Sequence, residues 1–172
     1  LGVHYVDVMR FVTEAIPKRV NASGQKIFLK KEGIDTFDSI QCNIEWETKQ
    51  GTLFNQLIIC SWIESNKSSA MSKQDFHLIG TKGRLDCEQK ERGLKLLTDN
   101  LYSEDINPDF TKLFSFKDSF LFKGYGIDSI NTFLEDINNK DMNTRDKCKC
   151  DIKEALISTS VIEAAYKSIQ NN

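Results

Sequence analysis

Leu1-Gly2-Val3-His4-Tyr5-Val6-Asp7-Val8-Met9-Arg10-Phe11-Val12-Thr13-Glu14-Ala15-Ile16 opens the chain, and its reading decides the fold. At helical spacing Val8, Phe11, Val12 and Ala15 share one face, which predicts an amphipathic helix with that face inward. Pro17 is expected to end it, because the residue before a proline is pushed away from helical geometry. His4 and Asp7 lie three apart and so project from one side of the first turn. A titratable histidine beside a carboxylate suits proton transfer, since the carboxylate can orient the ring and stabilise imidazolium. Two structural readings stand beside that one. Asp7 near a helix start is favourable for the helix dipole alone, and a lone histidine can simply be packed.

Beyond Pro17 the pattern turns extended. Arg19–Leu29 reads as a strand with an irregularity at Gly24, and Lys30-Lys31-Glu32-Gly33 as a turn. In Ser39–Glu47 the alternation is clean. Ile40, Cys42, Ile44 and Trp46 point one way, and Gln41, Asn43, Glu45 and Glu47 the other. Lys49-Gln50-Gly51 supplies the hairpin turn. The partner strand, Thr52–Glu64, is apolar on both sides. Leu53, Leu57, Ile59 and Ile63 line one, and Phe54, Ile58, Cys60 and Trp62 the other, so something must cover each face. A second hairpin follows over Gln74–Gly80 and Gly83–Cys87, then a short strand at Gly93–Leu97. Thr98–Phe122 shows no sustained period and reads as an ordered aromatic excursion, too apolar for disorder. Two helices close the chain. Ile127, Ile130, Leu134 and Ile137 mark the first. Asp151, with Glu154 three residues on as an acidic capping box, starts the second, whose apolar face is Ile152, Leu156, Val161, Ala165 and Ile169.

At 172 residues the chain fits one domain with a sizeable core. A net charge of −2 gives no basic footprint, so nucleic acid is not an expected partner. No apolar run reaches the length of a membrane span, and none is expected to meet a membrane. Five dispersed cysteines, an odd number, fit a reducing compartment, and the expected location is the cytoplasm. No G-x-G-x-x-G follows a strand, and Gly124-Tyr125-Gly126 lacks the third glycine. Cys148-Lys149-Cys150 has no matching second pair for a four-ligand zinc site, so no metal is expected. His77, between Phe76 and Leu78 in a strand, reads as a polar or partly buried strand residue.

The order of residues carries a resemblance. Gly2-Val3-His4-Tyr5-Val6-Asp7 resembles the G-x-H-x-x-D segment that opens the C-terminal domain of the Gfo/Idh/MocA family, the glucose–fructose oxidoreductase and inositol dehydrogenase relatives. Phe76-His77-Leu78-Ile79-Gly80-Thr81-Lys82-Gly83-Arg84-Leu85 resembles its hairpin. Gly124-Tyr125-Gly126-Ile127-Asp128-Ser129-Ile130 is similar to the start of the helix before its last loop. Val161-Ile162-Glu163-Ala164-Ala165-Tyr166-Lys167-Ser168 is similar to its closing helix.

The resemblance implies an α+β fold: an open, mostly antiparallel sheet with helices on one face, the other face commonly packed on another subunit. It implies the substrate-binding and oligomerisation domain of an NAD(P)-dependent sugar or polyol dehydrogenase. His4 matches the family's substrate-facing histidine and is the expected catalytic residue. Asp7 and Tyr125 are the expected substrate-binding residues, Tyr125 and Lys123 flanking glycines that let them reach a sugar or that merely shape a helix-entry turn. The cofactor, NAD or NADP, would be bound mainly by a Rossmann domain, whose glycines and E-K-P lysine are not in these 172 residues. The expectation is therefore a chain cut at a domain boundary, a homo-oligomer through the sheet face, with no hydride transfer by itself. The competing class is a non-catalytic binding or assembly module that keeps the fold.

Overall fold

The computed structural model describes residues 2–63, 73–88, 93–98, 101–106, 111–116, 119–124, 126–138 and 151–171. In chain order the elements are α1 (Gly2–Thr13), β1 (Ile16–Gln25), α2 (Phe28–Lys31), β2 (Ser39–Glu47), β3 (Leu53–Ser61), β4 (Asp75–Gly80), β5 (Gly83–Glu88), β6 (Gly93–Thr98), β7 (Leu101–Ile106), β8 (Thr111–Phe116), β9 (Ser119–Gly124), α3 (Ile127–Asn138) and α4 (Ile152–Gln170). They gather into two compact units, Leu1–Asn66 with Asp146–Asn172, and Lys67–Arg145. The class is α+β with antiparallel strands, as the sequence predicts. Among the described residues the strands pair into three antiparallel sheets.

The first unit is a three-stranded sheet, β1-β2-β3, with α1 and α4 on one face. Val6, Ala22, Cys42, Ile44, Trp46, Ile58, Val161 and Ala165 form its core. Trp46 is wholly buried, and its indole Nε1 donates to Gln56 Oε1 at 3.1 Å. Gln56 Nε2 in turn donates to the Tyr5 carbonyl at 2.9 Å, which fastens α1 to the sheet.

Two expectations about α1 are corrected. The helix stops at Thr13, before Pro17 can act. Glu14 turns into the left-handed region, at φ 54°, while its N–H still bonds the Arg10 carbonyl at 2.8 Å. Pro17 lies inside β1, an edge strand, where the register shifts between Pro17 and Arg19, a position that tolerates a missing N–H. The buried helical face is Tyr5, Val6 and Met9, not Val8, Phe11 and Val12, which are 37%, 69% and 55% exposed. Of the predicted stripe only Ala15 is buried, and it lies past the helix. The helix is apolar on two sides, so periodicity cannot choose between them. What decides is the Gln56 bond to the Tyr5 carbonyl, which holds that side of the helix against β3.

Asp151 caps α4 as expected, its Oδ1 accepting from the Lys153 and Glu154 N–H groups at 2.8 and 3.0 Å. The Glu154 carboxylate does not complete a capping box. It is held by Arg10, whose Nε and Nη2 reach Glu154 Oε2 and Oε1 at 2.9 and 2.5 Å. Arg10 Nη1 also donates to the Ala15 carbonyl at 2.6 Å, closing the C-terminus of α1. Within α4 the buried residues are Ser158, Val161 and Ala165, while Ile152 and Leu156 are exposed, because small side chains let the helix settle on the sheet. The paired geometry and partial burial of Arg10 predict a coupling energy of about 1 kcal/mol between it and Glu154 in a double-mutant cycle followed by chemical unfolding. Arg10→Lys recovers little of it, because the fork and the bond to Ala15 are lost together.

β1 ends sooner than predicted, and residues 28–31 form the short helix α2 instead of extending the strand. Asp38 causes the turn. It is fully buried, and its carboxylate accepts from the N–H groups of Ile27, Phe28 and Leu29 at 2.6, 2.7 and 2.7 Å.

The second unit holds a four-stranded sheet, β4-β5-β6-β7, a hairpin, β8-β9, and α3, which contacts β9. The β4-β5 hairpin and β6 fall where the alternation puts them. The Thr98–Phe122 excursion is corrected: it holds β7, β8 and most of β9, which runs on to Gly124. These are six-residue strands, so none is long enough to establish a period. A side chain at Gly83 would sit 2.4 Å from the Leu97 carbonyl, so the β5-β6 approach requires glycine there. The helix expected to help cover the first sheet, α3, belongs to this unit, and α1 takes that place.

Candidate functional site

The residue singled out for chemistry, His4, lies in the first turn of α1 and is exposed, while Asp7 is half-buried one turn further on. Val8, Phe11 and Val12 follow His4 at i+4, i+7 and i+8, so imidazole and apolar side chains form one outward stripe. The helix beneath is fixed on its other side by buried Val6, by the Gln56 bond to Tyr5 and by the Arg10–Glu154 pair. The arrangement can present a proton donor or acceptor on an anchored helix to a ligand lying on the stripe. Tyr125 and the Cys148-Lys149-Cys150 segment lie outside the described residues, and so does the Lys123 side chain.

A second imidazole carries a clearer partner. His77 Nδ1 is 2.7 Å from Asp86 Oδ1 across the β4-β5 pair, and Arg84 Nε reaches Asp86 Oδ2 at 2.9 Å. The hydrogen bond with His77, the largest influence, and with it the nearby Arg84 charge hold the Asp86 carboxyl below its usual range against the opposing effect of burial. His77 is mainly exposed, and among the described residues no further polar group converges on it to make a reaction site. Its pairing with Asp86 is a cross-strand contact of the kind that stabilises a sheet.

Sequence reasoning missed Asp38. Burial alone would push its carboxyl up, but three backbone N–H donors outweigh that and hold it below the usual carboxylate value. Its role is structural: its own N–H donates to the Gln25 carbonyl and its carbonyl accepts from Trp62, so one residue ties β1, α2 and the end of β3 together. An aspartate three residues after Asp35 carries no sequence signal that separates it from other turn acids. Among the described residues no three His, Cys, Asp or Glu side chains gather as metal ligands, and no helix is long and apolar enough to cross a membrane.

All 172 residues match the family described as the oxidoreductase family, C-terminal alpha/beta domain, over residues 1–172. The chain belongs to the Gfo/Idh/MocA oxidoreductase family. Solved structures of the same fold agree. An oxidoreductase from Sinorhizobium meliloti is 16% identical, with a TM-score of 0.71 over 100% of this chain and 49% of its own. The aldose-aldose oxidoreductase from Caulobacter crescentus, complexed with glycerol, is 14% identical, with a TM-score of 0.69 over 99% of this chain and 44% of its own. Biliverdin reductase from Synechocystis sp. PCC 6803, in complex with biliverdin and NADP+, is 10% identical, with a TM-score of 0.57 over 96% and 44%. A comparison with the curated proteins finds no match. This C-terminal domain thus spans less than half the length of those three structures. They act on an aldose in one case and biliverdin in another, so the shared fold does not by itself choose a substrate.

Proposed function

We propose that this domain supplies the substrate-facing half of an NAD(P)-dependent sugar or polyol dehydrogenase, with His4 as its catalytic acid/base group. The single observation that carries the reading is the His4 stripe. An exposed imidazole heads a row of exposed Val8, Phe11 and Val12 on an otherwise anchored helix. A contiguous apolar row beside a titratable group suits a face on which further protein closes over a polar ligand. In this reading His4 holds the hydroxyl of the alcohol carbon and accepts its proton as the carbonyl forms. Asp7 lies on the same side of the helix to bind a neighbouring hydroxyl.

The described residues do not fit a dinucleotide. Their strands pair antiparallel, and no glycine-rich turn links a strand to a following helix as a pyrophosphate needs. The N-termini of α2 and α4 already hold the carboxylates of Asp38 and Asp151. NAD or NADP therefore belongs to the whole protein in this proposal, and no residue here is assigned to it. The test is a dehydrogenase assay of the full-length protein with a panel of sugars and polyols and either cofactor. Cofactor reduction with at least one member supports the reading. No reduction with any, by a protein that binds neither cofactor, returns the domain to the class of binding or assembly modules.

The proposal extends to self-association through the uncovered sheet face. Leu57 and Ile59 of β3 are 65% and 63% exposed, opposite Asn43 and Gln41 of β2, on the side away from α1 and α4. Two-fold pairing of such faces is the commonest way to bury them, and an obligate interface covers roughly 2,000 Å² or more. Light scattering across a dilution series should give a dimer or larger, and Leu57→Arg should give a monomer of unchanged secondary structure. A wild-type monomer at every concentration would rule this interface out.

A further inference from the structure

A pocket of about 180 Å³ opens on the helix-covered side of the first sheet, beneath the N-terminal turn of α1. Gly2, Cys42, Ile58, Cys60, Ile162 and Ile169 are among the residues that line it, and all belong to the first unit. Trp62 and Tyr166, both exposed, stand at its rim, so the pocket is reachable from solvent. The φ of Gly2 is not in the left-handed region, so the backbone does not require glycine there. A Cβ at Gly2 would meet only ordinary neighbours, Cys60 Sγ and Ile162 Cδ1 at 3.6 Å and Ile58 Cγ2 at 3.9 Å. Gly2 is the first residue of α1, where glycine costs little, and it serves neither a turn nor a clash. Its effect is to keep the pocket open.

The lining carries no charge. Cys42 and Cys60 are free thiols, and burial first, with Cys60 adding to it, pushes the Cys42 thiol up to about 11, so it stays protonated at neutral pH. An apolar, uncharged wall with no ionic partner selects against charged or strongly polar ligands, which would lose their hydration without return. An apolar cavity of about 150 Å³ in another protein stays dry and takes up benzene, so the volume here suits a ligand of that size.

We propose that this pocket is a binding site for a small, uncharged, apolar ligand, such as a single aromatic ring or a short branched alkyl group. Gly2 and His4 are two residues apart and so lie on nearly opposite sides of α1. The pocket is therefore a site separate from the outward stripe, and it stands whether or not the dehydrogenase reading holds. A ligand seated there packs under the turn that carries His4 and firms it.

The test is a toluene titration of the 172-residue chain followed by amide and methyl NMR. Saturable shifts should centre on Gly2, Cys42, Cys60 and Ile162, with a Kd of about 1 mM or tighter for so small a ligand. Direct contacts should run from toluene to the Ile58 and Ile162 methyl groups. Gly2→Leu, which fills the space, should weaken binding at least tenfold while the fold persists. Ile162→Phe serves the same purpose should Gly2→Leu not fold. Absence of saturable shifts, shifts centred instead on the exposed face of β3, or an unchanged Kd in either folded variant would overturn the proposal. The wild-type contact map decides the matter alone if neither variant folds.

Discussion

Replacing His4 by alanine in the full-length protein should lower turnover by about 10²–10⁴-fold, the usual contribution of a positioned acid/base group. Its stability should stay within about 0.5 kcal/mol of the wild type, as for other surface changes. The second half follows from exposure: His4 contributes nothing to the core, and alanine is a better helix former than histidine. The kinetic pattern separates two roles. If the ring takes the proton in the transition state, kcat and kcat/KM fall together. If it only holds the ground-state hydroxyl, KM rises and kcat is preserved. His4→Gln, which can still hydrogen-bond but cannot cycle a proton, should recover KM and not kcat. Turnover unchanged in His4→Ala would remove the residue from the mechanism.

Asp38→Ala should be among the most damaging single changes to the fold of the first unit, with thermal unfolding lowered on the order of 10 °C, given what charge-assisted hydrogen bonds contribute. The carboxylate is buried, and its loss leaves the Ile27, Phe28 and Leu29 N–H groups without their acceptor. Asp38→Asn keeps the shape and one carbonyl acceptor, but sets an amide group against N–H donors, so an intermediate loss is expected. The pH dependence has a definite sign. Because the folded-state pKa lies below the usual 3.8, the unfolded chain binds this proton first as pH drops. The stabilisation is complete above the usual value and is lost as pH falls from there through the folded pKa. The gap in melting temperature between wild type and Asp38→Asn should therefore be widest at neutral pH and should narrow below about pH 4. A gap that widens on acidification would contradict the assignment of the charged form.

Strand β2 was fully legible because one face of Ser39–Glu47 is apolar and the other polar, and the structure places it with those same limits. The two-sided apolar character of β3 was legible too, and the helices do cover the side of Ile58 while Leu57 and Ile59 stay exposed. The α1 face was misread because Tyr5, Val6 and Met9 make as good a stripe as Val8, Phe11 and Val12. Hydropathy along one chain holds no information about which of two apolar faces meets the sheet. The Asp38 turn could not be read because its cause is a carboxylate reaching backbone donors nine to eleven residues away in the chain. For the candidate site, His4 and Asp7 are suggested by their spacing and acid/base chemistry and, more strongly, by the order of residues around them. The pocket under Gly2 was invisible, since it takes residues from α1, β2, β3 and α4 to enclose it.

The most direct test of the account is a crystal structure of the full-length protein with NAD(P) and a bound sugar or polyol. A ring nitrogen of His4 should lie about 2.6–3.2 Å from the hydroxyl on the carbon to be oxidised, with Val8, Phe11 and Val12 buried against the cofactor-bearing part of the chain. A structure in which substrate binds elsewhere, and His4 with its apolar stripe still faces water, would contradict the account.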